Sequence, residues 1–282
     1  RPENVQKCAA LFCDGYRSQL TALDCNRRFF NPKLSPHKLE FLNRMQPPYT
    51  NQKRVVIVGG GFCGVLAAKR LDSVPGVDKT LIDSAPAFEY IPGIPRIPFK
   101  AGVDRKLTVS YDNFLRRTRV VSAQIDTITP DHIDVGGEKL GYDYCLICTG
   151  ALQPVQIENR EKVHTLGSVA DSVSIREALP KKGGHVLIVG GGVVGTEIAA
   201  EIATRRPRCK VTIVHSKNRL LERNPLRASA YARRFLEKRG VKLVFDDRVA
   251  ENREGSFQTR NEHTLEADVA IWCAGIRPNP AS

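Results

Sequence analysis

The chain has 282 residues, 41% of them hydrophobic, which is enough to bury a sizeable core and fill about two domains of ordinary size. No apolar run approaches the roughly 18 residues that cross a bilayer and no secretory signal opens the chain, so a globular protein, soluble or held only at a membrane surface, is expected. The net charge of +13, from 43 Lys and Arg against 30 Asp and Glu, suits anionic partners such as nucleotides or lipid headgroups, though the plainer account is a basic solvated surface; no basic stretch is interleaved with aromatics, which argues against direct nucleic-acid recognition.

Residues 1–52 differ in character from the rest and form an N-terminal extension. The chain opens on Arg1 rather than Met, which fits removal of a basic presequence, and hence a mitochondrial location, or a segment of something longer. Val5, Ala9, Phe12, Tyr16, Leu20 and Leu23 recur at helical spacing, predicting an amphipathic helix from Asn4 to about Arg28 and a second short helix after Pro36. Met45 to Asn51 reads as a linker. The extension is either a flap packed on the domain or a docking arm for a protein partner.

From Lys53 the order becomes strand, glycine turn, helix, strand, and it occurs twice. Val55 to Val58 is a continuous β-branched run, as in a parallel strand buried on both faces. Gly59-Gly60-Gly61-Phe62-Cys63-Gly64 follows, then a helix through Leu71 and a strand from Lys79 to Ile82 ending at Asp83. Val120 to Val135 breaks into short alternating pieces and predicts an antiparallel meander, and Tyr144 to Cys148 predicts another buried strand. Pro180 to Gly184 turns into the second copy: Val186 to Val189, Gly190-Gly191-Gly192-Val193-Val194-Gly195, a helix through about Thr204, and Val211 to Val214. Leu226 to Arg239 predicts a helix stopped at Gly240, with Val241 to Phe245 the strand after it. The eight cysteines are scattered and no structural disulfide or metal site is expected. Cys145 and Cys148 form a C-x-x-C, but on a strand that spacing sends the two thiols to opposite faces.

A pyrophosphate set against the start of a helix is held by free backbone N–H groups and the positive end of the helix dipole. Three glycines serve it: one for the tight turn, one for close approach of the phosphate, one for packing of helix on strand. Gly59, Gly61 and Gly64 fill these places in the first copy, and Gly190, Gly192 and Gly195 in the second. One such motif is weak; two in register, each between strand and helix, are specific. The residue ending the second strand reads the adenosine ribose, and Asp83 fits that role, the alternative being an exposed strand-end aspartate. In the second copy the same place holds His215-Ser216-Lys217-Asn218-Arg219, with cations and no carboxylate. His215 and Lys217 are therefore expected to favour a 2′-phosphate, giving use of both NADH and NADPH with a modest NADPH bias, unless these residues merely face solvent.

With these residues in place the chain from about Lys53 to Pro280 resembles the pyridine-nucleotide-dependent FAD oxidoreductases, and within them the type II NADH:quinone dehydrogenases and apoptosis-inducing-factor-like flavoproteins. Tyr142 to Ala151 is similar to the family's Ala-Thr-Gly signature with Cys148 in place of alanine, and Ala267 to Asn279 to the signature that closes the nicotinamide lobe. Phe88 to Pro92 resembles a segment that runs beside the flavin ring. Glu197 matches an acidic position near flavin and nicotinamide, which unaided chemistry would read as a helix N-terminal carboxylate. The resemblance implies an α/β fold of two nested Rossmann-like dinucleotide-binding domains, residues 53–154 for FAD and 155–282 for NAD(P)H, with the C-terminal part of the family fold missing and FAD held weakly in consequence. It implies FAD contacts from Gly59, Gly61, Gly64, Asp83, Pro92, Thr149 and Gly150, nicotinamide-side contacts from Gly190, Gly192 and Gly195, a catalytic role for Glu197, and a quinone or similar acceptor. No cysteine lies between Cys63 and Cys145, where the disulfide reductases of this superfamily keep a redox pair, so electrons are not expected to pass to a protein disulfide. The alternative is a non-catalytic structural or assembly subunit of a large mitochondrial complex using the same fold.

Overall fold

The computed structural model describes residues 52–279; the helices expected over residues 4–28 and after Pro36, and the linker Met45 to Asn51, lie outside them. In the first lobe, β1 (Lys53–Val58) leads through the glycine turn into α1 (Phe62–Leu71) and then β2 (Val77–Asp83), β3 (Arg119–Ser122) and β4 (Tyr144–Ile147). All four strands are parallel, in the order β3–β2–β1–β4. Consecutive residues Val55 to Val58 are all buried, which requires cover on both faces of the sheet and explains the unbroken β-branched run.

In the second lobe the chain forms β5 (Val163–Thr165), α2 (Val169–Ala178), β6 (His185–Val189), α3 (Val193–Arg205), β7 (Lys210–Val214), α4 (Leu226–Glu237), β8 (Lys242–Val244) and β9 (Val269–Trp272). Its five strands are parallel, in the order β5–β9–β6–β7–β8. Along β6, Val186 and Ile188 face one core with Ile198, Ile202, Ile213 and Leu236, while Leu187 and Val189 face another with Val214, Phe257 and Trp272. Phe257 comes from an antiparallel meander over residues 249–266 and is fully buried, worth about 1.5 to 3 kcal/mol by transfer.

The expected elements need two corrections. Val120 and Val121 belong to β3 of the parallel sheet, and the antiparallel meander begins only at Thr127–Ile128, continuing through His132–Val135 and Glu138–Gly141. The strand over Tyr144–Ile147 is not buried: Tyr144 is 57% and Ile147 59% exposed, because among the described strands only β1 flanks it. The apolar run expected to be a buried strand lies at the end of the four-stranded order.

Two features tie the lobes together. The segment Ile91–Phe99, a 3-10 run holding Pro92, Pro95 and Pro98, sends Ile94 and Ile97 into the core of the second lobe. The exits of the two lobes also pair with each other, Ala151 opposite Pro278 and Leu152 opposite Arg277 in an antiparallel ladder.

Candidate functional site

Both glycine turns leave the C-terminal end of a central strand where the strand order reverses, the position at which open α/β sheets take ligands. Gly59 has φ +98° and donates its N–H to the Ile82 carbonyl at 2.8 Å; Gly190 has φ +111° and donates to Val214 at 2.8 Å. Only glycine takes that backbone region readily. Gly61 and Gly192 then open their helices with nearly the same dihedrals, φ −73° and ψ −165° against φ −73° and ψ −168°. A Cβ on Gly64 would be driven into the Gly59 carbonyl, and one on Gly195 into that of Gly190, so both helices press on their own turns.

The two middle glycines behave oppositely. A Cβ on Gly61 or Gly192 would meet nothing within 4 Å, and neither helix start carries a side-chain cap, which leaves first-turn N–H groups facing open space. Each loop is therefore an empty-fronted backbone cradle for an anion, and the residues present fit a dinucleotide pyrophosphate twice over.

Around the first cradle, Asp83 accepts the Gly60 N–H with one carboxylate oxygen and the Ala85 N–H, at 2.6 Å, with the other. Besides standing at the strand end, it braces the loop. Tyr111, which the sequence reading did not single out, donates its hydroxyl to the Gly60 carbonyl at 3.2 Å; burial, with Asp83 and Glu89 nearby, holds that phenol protonated well above its ordinary range. No local pattern could have flagged a tyrosine 51 positions away. Thr149 N and the Cys148 carbonyl lie against Gly59, so the first signature is brought to the loop. The Thr149 hydroxyl donates to the Asn279 carbonyl at 2.9 Å, and Gly150 accepts from the Asn279 N–H at 3.0 Å. Pro92 is exposed near the start of its 3-10 run, while Phe62, Phe88 and Tyr90 gather beside α1 with Phe62 5.2 Å and 5.7 Å from the other two rings. Glu89, also missed from the sequence, reaches the second lobe: its Oε2 accepts the Val169 N–H at the start of α2 at 2.8 Å.

Around the second cradle, the His215 ring packs where a Cβ on Gly191 would fall, and its Nε2 lies 3.2 Å from Glu222 Oε2. The expectation of a carboxylate-free strand end is therefore corrected: Glu222, seven positions on, folds back beside His215. Burial works against ionisation of Glu222, but its own backbone N–H and the neighbouring His215 outweigh that and hold its pKa below the ordinary carboxylate range. Arg219 is turned inward, donating to the carbonyls of Leu221, Glu222 and Asn224. Of the predicted cations only Lys217 remains exposed.

Glu197 stands in the second turn of α3, not the first, so stabilisation by the helix dipole does not describe it. Partial desolvation first, and repulsion from Glu201 second, push its pKa up, with Arg96 of the 3-10 segment partly offsetting them.

A family model described as pyridine nucleotide-disulphide oxidoreductase matches residues 53–282. The chain is 30% identical to Ferroptosis suppressor protein 1 of Xenopus tropicalis over 81% of its own length and 64% of that protein's, and 28% identical to Apoptosis-inducing factor homolog B of Dictyostelium discoideum over 83% and 66%. Among solved structures, NDH2 of Plasmodium falciparum in complex with NADH superposes with a TM-score of 0.72 at 21% identity, covering 81% of this chain and 56% of that one, which shows a shared fold. The chain thus spans under two thirds of the length of the Xenopus relative. Among the described residues no helix is long and apolar enough to cross a membrane.

Proposed function

The chain belongs to the pyridine nucleotide-disulphide oxidoreductase family, and from that premise we propose that it binds FAD on the first cradle and NAD(P)H on the second and carries electrons from the nicotinamide, through the flavin, to a quinone or similar acceptor. One observation carries the reading: two glycine loops with matching backbone, each open in front of its middle glycine, lie in one chain whose lobes share a core. FAD, when bound, supplies a two-electron acceptor for the nicotinamide hydride and a donor to the final acceptor.

The protein's part is to hold and orient. Gly61 presents the start of α1 to one pyrophosphate, with Asp83 and Tyr111 fixing the loop on either side of Gly60. Gly192 does the same at α3, where His215 and Glu222 stand at the adenosine end. A carboxylate there accepts from a ribose 2′-hydroxyl and repels a 2′-phosphate, so NADH is preferred to NADPH, the reverse of the bias the sequence suggested. Glu197, raised in pKa and facing the first lobe's Arg96, keeps a proton at its carboxyl to higher pH than an ordinary glutamate and can exchange it where the lobes meet.

Binding to two variants tests the assignment. A methyl group fits the protein at Gly61 or Gly192 but stands where a phosphate must approach. Gly61→Ala should weaken FAD at least about tenfold and leave NADH binding intact, and Gly192→Ala should do the reverse, each tenfold being about 1.4 kcal/mol. Unchanged binding in both variants, or the opposite pairing, would refute it.

A further inference from the structure

We infer that Cys63 and Cys148 form an oxidisable thiol pair that closes across the first glycine loop, a modification site whose reactant is a hydroperoxide. Cys63 is the second residue of α1 and Cys148 follows the last residue of β4; 85 positions apart in sequence, their sulfurs lie 3.5 Å apart. The Cys148 backbone is fixed to the loop, since its N–H donates to the Val58 carbonyl at 2.7 Å and its carbonyl lies against Gly59. Cys63 is fixed in the first helical turn, just past Gly61. A disulfide needs its sulfurs at about 2 Å, so from 3.5 Å they have roughly 1.5 Å left to close.

The pair is specific to this loop. Gly59 to Cys63 corresponds to Gly190 to Val194, and Cys148 to Cys273, whose N–H likewise donates to the preceding central strand at Val189, 2.8 Å away. The second loop therefore repeats the strand-end cysteine but opposes it with valine, so the fold does not by itself call for a thiol at Cys63. Nor does Cys145 compete, since it sits three positions before Cys148 on an extended strand and projects to the other face.

The two thiols are unequal. Cys63 is exposed and meets an oxidant first, whereas burial, and then the neighbouring Cys63, push the Cys148 thiol up to about 11 and leave it the less reactive of the two toward peroxide. In the first step the Cys63 sulfur attacks the peroxide, the O–O bond breaks, and Cys63 becomes a sulfenic acid as an alcohol or water leaves. In the second, the Cys148 sulfur attacks that sulfur, the S–S bond forms, the S–O bond breaks, and water departs with the Cys148 proton. The thiols lose two electrons and the peroxide gains them; a dithiol reductant reverses the change by thiol–disulfide exchange. The bridge would pin the start of α1 to the end of β4 with the loop between them, holding the cradle in one shape and slowing passage of whatever it holds. Only this last consequence rests on the first cradle being the FAD site.

The test is peptide mapping of the reduced full chain after stoichiometric hydrogen peroxide, with free thiols alkylated before digestion. The expected result is a Cys63–Cys148 cross-link, lost on dithiothreitol treatment, absent from Cys63→Ser and retained in Cys145→Ser. No such link in the folded wild type, or a Cys145–Cys148 link in equal yield, would overturn the inference. A second arm follows FAD exchange in oxidised and reduced protein: slower exchange after oxidation, abolished by Cys63→Ser, supports the clamp, and equal rates remove its role while leaving the thiol chemistry. A link found in a chain that never takes up FAD would instead count against the proposed function.

Discussion

At the first glycine loop Gly60 is gripped by a carboxylate on its N–H and a buried phenol on its carbonyl, Asp83 and Tyr111. At the second, the equivalent glycine faces an imidazole, His215, with the Glu222 carboxylate behind it. Beneath these differences the backbones agree within a few degrees at the helix-opening glycine and donate alike from the first glycine to the neighbouring strand. On the proposed reading, the backbone carries what the two ligands have in common, a pyrophosphate, and the surrounding side chains carry what distinguishes them.

The largest effects should come from changes that strike both loops alike. Gly64→Ala and Gly195→Ala each force a methyl group into a fixed carbonyl, and each should cost about 3 kcal/mol or more in denaturant unfolding, at or beyond the usual cost of overpacking. A cost at one loop only would show that the two helix–turn contacts are not equivalent.

Changes to the side chains should separate the loops. Asp83→Asn leaves one of the Gly60 and Ala85 N–H groups facing an amide instead of a carboxylate oxygen, at about 1.5 to 3 kcal/mol for a bond to a charged group, and should weaken FAD by about ten- to a hundredfold without touching NADH. Glu222→Gln is milder because its carboxylate is partly exposed and screened: the NADH to NADPH affinity ratio should fall, by less than about tenfold. An unchanged ratio would remove Glu222 from the reading of the ribose.

How much of this was legible in the sequence follows the same division. The β-branched runs and the six glycines were readable because backbone chemistry constrains them locally, whereas the two signatures were readable only through the family resemblance. Tyr111, Glu89 and Glu222 were not, since each reaches its partner only after folding brings distant segments together. The error at Tyr144–Ile147 has a related cause, because an apolar strand looks the same in sequence at the edge of a sheet as at its centre. The C-x-x-C was visible, but the thiol beside Cys148 proved to be Cys63, across the loop.

The smallest effect is at Glu197. Its folded pKa is raised, so the folded state binds more protons than the unfolded chain, and stability declines as pH rises from the ordinary glutamate range through the raised value. Glu197→Gln should therefore gain thermal stability over wild type at neutral pH and lose that advantage in acid, below the ordinary glutamate range. An advantage independent of pH would mean that ionisation of Glu197 is not its source.

The central claim, two dinucleotides on two matched loops in electronic contact, is met most directly by the visible spectrum of the native full-length protein before and after anaerobic addition of NADH. The account predicts a yellow protein whose flavin absorbance bleaches on addition and returns with a quinone. A colourless protein that takes up no FAD, or a bound flavin that NADH leaves unchanged, would contradict it.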